Sequence, residues 1–444
     1  MSIRKPNMSP VKTPETRLSV NERIHNYDEV CQGYTPEQAK AEAERCLNCP
    51  DRYCAVHCPA HNYIPEFIAE IRNGDLDAAW ELLSRTNPFM QISCRVCPYE
   101  TQCESECTRG IRSEPVAISR LERFVADWHR ANRAASLPKT DKAGKSVAIV
   151  GSGPAGLSCA ASLVRAGYDI TVLEKTDTLG GVPAWGIPSF VLPAEPLQWM
   201  IWSLKELGVK FKTGVEVGKD ITVQKLQEDY DAVFIATGAG TPVELKAEGR
   251  ELSGVVQAAD YLRNADAFPG KTVAVIGGGN TAIDAARTAL RQGASSVKLV
   301  YRRTKEDMPA TSSELAIALE EGVELVETAS PVRFAGKDGT LTAVECDRME
   351  LRAPDYPGGR NNTAPSGETF TLEADLAILA LGFKNEPLPG ITCDSAGKIT
   401  VDKNRATALK GVYAGGDAVT GAATLIKAVA AGTGVAATIF ESFN

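Results

Sequence analysis

Apolar positions recur at three-to-four spacing in YIPEFIAEIRNGDLDAAWELLSRTNP and again in PVAISRLERFVADWHRANRAA, the signature of amphipathic helices, so the N-terminal part of the chain is read as mostly helical. The pattern then changes. The polar, breaker-rich stretch SLPKTDKAGK is read as a linker near residues 134–144, and the contiguous apolar run SVAIVG after it as a buried strand. A second such run, KTVAVIGGGN, opens another strand–glycine loop–helix unit, which predicts two nucleotide-binding domains behind the helical module. The charged segment DRMELRAPDYPGGRNNTAPSGETF carries turn residues Pro357, Gly358, Gly359, Asn361 and Asn362, and is read as a surface loop or hairpin excursion.

Length and charge narrow the classes. A chain of 444 residues has room for two or three domains, and its 43% apolar and 23% charged residues are those of an ordinary globular protein. A net charge of −8 disfavours nucleic acid as partner, and the few basic clusters, such as Arg302-Arg303, are short and isolated. The polar N-terminus offers no signal peptide, and no run approaches the roughly 18 apolar residues of a membrane span. A cytoplasmic protein with no membrane partner is expected.

The first glycine motif, Gly151-Ser152-Gly153-Pro154-Ala155-Gly156, follows SVAIV and opens the helical stretch AGLSCAASLVRAG. Its first glycine permits the tight turn, its second lets backbone approach a pyrophosphate, and its third packs helix on strand, with free helix N–H groups left for phosphate. The next strand, YDITVLE, ends at Glu174, placed to accept hydrogen bonds from ribose hydroxyls, which fits FAD or NAD. In the second motif, Gly277-Gly278-Gly279-Asn280-Thr281-Ala282, the following strand delivers Arg302 and Arg303 instead of a carboxylate. Guanidinium forks suit a 2′-phosphate, so NADPH is favoured over NADH. The alternative for the pair is a solvated turn. FIATGAG, with Gly238, and GVYAGGDAV, with Gly416 and Asp417, join further strands to glycine, and Asp417 is placed to bond a flavin ribityl chain or simply to cap the last helix.

Eight of the twelve cysteines form two runs, Cys46-x2-Cys49-x4-Cys54-x3-Cys58 and Cys94-x2-Cys97-x5-Cys103-x3-Cys107. Disulfides are disfavoured in a cytosolic chain. Zinc is the alternative to iron–sulfur, but the prolines after Cys49, Cys58 and Cys97 and the long runs favour clusters, whose ligand assignment spacing leaves open.

These features together resemble the small-subunit family of bacterial glutamate synthase, which also takes in the large subunit of the NADH-dependent ferredoxin:NADP oxidoreductase and the N-terminal half of dihydropyrimidine dehydrogenase. The likeness covers nearly the whole chain and rests on the double cysteine module, GSGPAGL, the stretch from Gly180-Gly181 to Pro188, VAVIGGGNTAIDAARTALRQGA, VYRRTKEDMPA and VYAGGDAV. It implies an α/β fold with two Rossmann-like three-layer domains of the disulfide-reductase kind, preceded by an α-helical domain with two clusters. The expected division is 1–140 for iron–sulfur, 141–265 with 376–444 for a discontinuous FAD domain, and 266–375 for the NADPH domain. The resemblance further implies two 4Fe-4S clusters, one held by Cys46, Cys49, Cys54 and Cys107, the other by Cys58, Cys97, Cys103 and Glu122, with Cys94 left out. Val182-Pro183-Ala184-Trp185 departs from the family's LLRYG-like sequence by losing an arginine beside the flavin. The cofactors carry the chemistry, so no catalytic side chain is expected. NADPH, with NADH as the alternative, reduces FAD, and electrons pass through the clusters to a larger catalytic subunit containing FMN. Rival readings are a subunit of a bifurcating transhydrogenase, a pyrimidine reductase or a sulfide dehydrogenase, or a non-catalytic nucleotide sensor.

Overall fold

The computed structural model describes residues 6–132 and 141–443, so most of the expected linker lies outside the described residues. The N-terminal module is helical: Pro36–Ala43, Ile64–Asn73, Leu76–Thr86, Met90–Val96 and Ile118–Asn132 are its main helices. Local chemistry sets their ends. Thr35 and Gln38 form a reciprocal capping box with Pro36 at the first helical position, and Gly74, at φ 82°, stops one helix just before Asp75 caps the next. Phe67, Leu83, Phe89 and Leu121 are fully buried, and their core runs without a break into that of the first nucleotide domain.

That domain is built on a five-stranded parallel sheet ordered β15-β4-β1-β2-β3, where β1 is Ser146–Val150, β2 Asp169–Leu173, β3 Lys210–Lys212, β4 Ala232–Ile235 and β15 Val412–Ala414. Strands buried on both faces read as unbroken apolar runs, as SVAIV does. The second sheet, also parallel, is ordered β6-β13-β7-β8-β9, with β6 Val255–Gln257, β7 Thr272–Ile276, β8 Ser296–Val300, β9 Glu324–Val326 and β13 Leu376–Leu379. Two edges of the expected division therefore move. Val255–Gln257 and Leu376–Leu379, assigned by sequence to the first domain, are strands of the second sheet, because β13 pairs between β6 and β7. An antiparallel sheet of β10 (Ala329–Lys337), β11 (Thr340–Arg352) and β12 (Asn362–Glu373) covers one face of the second sheet through Phe334, Leu341 and Val344. The excursion at 353–361 is the turn of its long β11–β12 hairpin. Short β5 (Thr241–Pro242) and β14 (Phe383–Lys384) pair where the chain crosses between the domains.

The last helix, Leu425–Phe443, is long and apolar enough by composition to cross a membrane. Its apolar face has a partner here: Val429, Val435 and Ile439 are fully buried, and Gly432 lies against the Ala155 carbonyl of helix Pro154–Arg165.

Candidate functional site

A cavity of about 570 Å³ opens where the helical module and the two nucleotide domains meet. Gly153 and Gly279 are the N-caps of helices Pro154–Arg165 and Asn280–Arg291, and both line it, so two sets of free helix N–H groups face one space. The glycines divide the work. A Cβ on Gly151, at φ 104°, would sit 2.5 Å from the Ala236 carbonyl oxygen, and one on Gly156 would collide with the Gly151 carbonyl, so both are needed for packing. A Cβ on Gly153 would meet nothing within 4 Å, and one on Gly279 nothing nearer than Pro309 at 3.9 Å, so there the backbone is left open to a ligand. Ala155, Gly181 and Gly238 also line the cavity, whereas Gly277 turns against Ala380 and Gly416 against Ala155.

Glu174 lines the cavity and is nearly buried, its carboxylate accepting from Ser152 N and Oγ (3.0 and 2.7 Å) and from Thr176 N and Oγ1 (both 3.0 Å). Asp417 differs. Its Oδ1 is buried without any hydrogen-bond partner, and desolvation, opposed by the Ala423 N–H, raises its carboxyl above the ordinary value. An unpaired acceptor beside an open glycine cradle fits a hydroxyl-bearing phosphate ester such as FAD. Asn280 and Thr281 line the other end. Arg302 and Arg303 do not: they follow β8, which runs parallel to β7 with Val300 opposite Ile276, and so stand outside the cavity beyond the second glycine loop.

The cysteines divide into two groups. Cys46, Cys49, Cys54 and Cys107 wall a small cavity of about 30 Å³. Cys58, Cys97, Cys103 and Glu122 lie within electrostatic reach of one another. Among the described residues no three His, Cys, Asp or Glu side chains converge as one metal ion would require. Four thiols around one space, as Cys46, Cys49, Cys54 and Cys107 are, fit the thiolate donor set of an iron–sulfur cluster. Burial raises the Cys54 thiol to about 12 and the Glu122 carboxyl to about 7, the latter opposed by bonds from Ser93 (3.3 Å) and Asn87 (2.8 Å). Cys94 lies within the same electrostatic reach of Cys97 and Glu122 and lines the large cavity beside Cys97, its Sγ donating to the Gln91 carbonyl at 3.6 Å.

Sequence reasoning missed part of the wall. Arg95, Tyr99, Arg120 and Arg123 of the helical module line the cavity, although in the sequence they are only polar positions of helices and loops. Arg95 and Arg123 are buried and share Glu29 and Asp127. Trp185, in the divergent Val182–Trp185 turn, stacks under the Arg263 guanidinium at 3.9 Å and meets Phe383 edge-on at 6.2 Å. A guanidinium thus comes to this wall from the second domain, while the neighbouring position holds Ala184.

Comparison with known proteins agrees with this architecture. Residues 23–134 match the family described as dihydropyrimidine dehydrogenase domain II, 4Fe-4S cluster, and residues 145–432 match pyridine nucleotide-disulphide oxidoreductase. In fold, the M. tuberculosis FprA structure in complex with NADPH superposes with a TM-score of 0.59 at 23% identity, over 67% of this chain and 84% of that one. The chain is a pyridine-nucleotide-dependent flavin oxidoreductase with a 4Fe-4S domain. It is 36% identical over 431 residues to the glutamate synthase (NADPH) small chain of Halomonas elongata, covering 92% of this chain and 91% of the other. It is also 38% identical to the NADP(+)-dependent formate dehydrogenase subunit beta of Moorella thermoacetica, over 87% of this chain and 59% of that protein. This chain belongs to the glutamate synthase small-chain family.

Proposed function

We propose that this chain is the electron-input subunit of a larger complex, oxidising NADPH and passing electrons through two four-iron clusters to an FMN-containing partner, as in glutamate synthase. One observation carries the reading: the Gly153 cradle, the Asn280 helix terminus and Cys97 share the wall of a single cavity. FAD held there would supply hydride acceptance and single-electron release, the chemistry that joins a two-electron donor to iron–sulfur centres. The chain's own residues bind and orient. Gly153 admits the pyrophosphate, Glu174 and Asp417 hold hydroxyls, and Asn280 and Thr281 receive the nicotinamide nucleotide, with Arg302 and Arg303 beside its adenosine end. The group of Cys58, Cys97, Cys103 and Glu122 reaches the cavity through Cys97, and the group of Cys46, Cys49, Cys54 and Cys107 leads outward to the partner.

The test is anaerobic reconstitution followed by NADPH titration. About eight irons per chain, flavin bleaching by NADPH and electron delivery to a dye are expected; a loaded protein that NADPH leaves coloured overturns the reading. Native-cell affinity purification then identifies the partner. The Moorella relative favours a second reading, a subunit of another NADP-linked complex, and a co-purifying chain without a glutaminase would select it.

A further inference from the structure

The β11–β12 hairpin reaches back across the domain to the segment behind β8. Asn361, at the end of its turn, donates through its backbone N–H to Asp307 Oδ1 at 3.0 Å and through Nδ2 to Asp307 Oδ2 at 2.9 Å. Asp307 is nearly buried, receives Thr304 Oγ1 at 3.4 Å, and its carbonyl accepts from the Tyr301 hydroxyl at 2.9 Å. With Asn361 held by these two hydrogen bonds, its carbonyl accepts from Arg303 Nε. The guanidinium is therefore fixed along its Nε edge, while its Nη1 and Nη2 have no protein partner among the described residues. The Arg303 backbone is fixed as well, its carbonyl accepting from Thr328 N at 3.1 Å. A planar fork pinned on one edge and open at its tip is the arrangement that meets a phosphate bidentately, and pinning it beforehand lowers the entropy lost on binding.

We propose that Asn361, anchored by Asp307, is a positioning residue that aims Arg303 at the 2′-phosphate of the nicotinamide nucleotide, so that the hairpin sets the preference for NADPH over NADH. The inference rests on the reading of Arg303 as a 2′-phosphate ligand given above. It accounts for the turn-rich excursion, which the two-nucleotide architecture alone does not require. The loop reads the phosphate through an arginine that belongs to another element, and Asn361 itself touches no part of the nucleotide.

The experiment uses the full chain with 2′,5′-ADP and 5′-ADP as calorimetric probes, so the readout does not depend on loaded clusters. Asn361→Ala removes one anchoring bond and is expected to weaken 2′,5′-ADP about fivefold, the value of one net hydrogen bond, while leaving 5′-ADP unchanged. In steady state the KM for NADPH rises and kcat holds, with the KM for NADH unaltered. Asp307→Ala removes both anchors and gives a larger loss of the same kind; if it fails to fold, Asn361→Ala decides alone. Arg303→Ala separates the two layers. If it leaves 2′,5′-ADP binding intact, the underlying assignment of Arg303 fails. If it abolishes discrimination while Asn361→Ala weakens both probes equally or neither, only the positioning role is overturned.

Discussion

Replacing Asp417 by alanine gives effects of opposite sign with and without flavin. In the free protein Oδ1 is buried and unpartnered, and an unmet buried acceptor costs about 1–3 kcal/mol, so Asp417→Ala should leave the flavin-free protein as stable as before or more so. On the proposed reading, the same oxygen would accept a hydroxyl of bound FAD. A hydrogen bond to a charged group is worth about 1.5–3 kcal/mol, so FAD affinity should fall roughly 10- to 150-fold. The assays are FAD titration by flavin fluorescence and thermal melts of both forms. The pH dependence has a definite sign. Burial raises the folded carboxyl above its ordinary value near 3.8, so this group's contribution to flavin-free stability is fullest below that value and is lost as pH rises through the folded one. Asp417→Asn should remove that slope. An equal loss of stability in both forms, with FAD affinity unchanged, would refute the argument and leave Asp417 as a first-turn residue of the short helix Asp417–Thr420.

Four further substitutions test other parts of the frame. Glu321 is buried among Arg23, Arg287 and Arg291 at 2.8–3.0 Å, so Glu321→Ala leaves Arg291 without its carboxylate partner, while Arg23 keeps Glu320 and Arg287 keeps Glu314, and should cost about 3–5 kcal/mol in denaturant unfolding. Gly432→Ala should destabilise by about 1–3 kcal/mol through overlap with the Ala155 carbonyl, outweighing the gain of about 1 kcal/mol that alanine brings to a helix; a raised unfolding midpoint would refute the close approach. Cys94→Ser should keep its full iron and sulfide content, whereas Cys103→Ser should lose about half; iron loss in Cys94→Ser would make Cys94 a ligand.

What the sequence by itself determined was everything governed by neighbours along the chain. The apolar runs SVAIV and TVAVI are strands, the glycines after them turn where only glycine fits, and the cysteine spacings mark the helical module, because each depends on a few consecutive residues. Which strands pair was decided only in three dimensions. Nothing local distinguishes Leu376–Leu379 from a strand of the first domain; it belongs to the second because its backbone closes between Val255–Gln257 and Thr272–Ile276. The same holds for the site. Arg95, Tyr99, Arg120 and Arg123 reach the cavity only because the helical module packs against both nucleotide domains, and Asn361 meets Arg303 only because a long hairpin folds back over β8. Local periodicity encodes which face of an element is apolar, whereas the partner of that face is set by burial and hydrogen bonding summed over the whole chain.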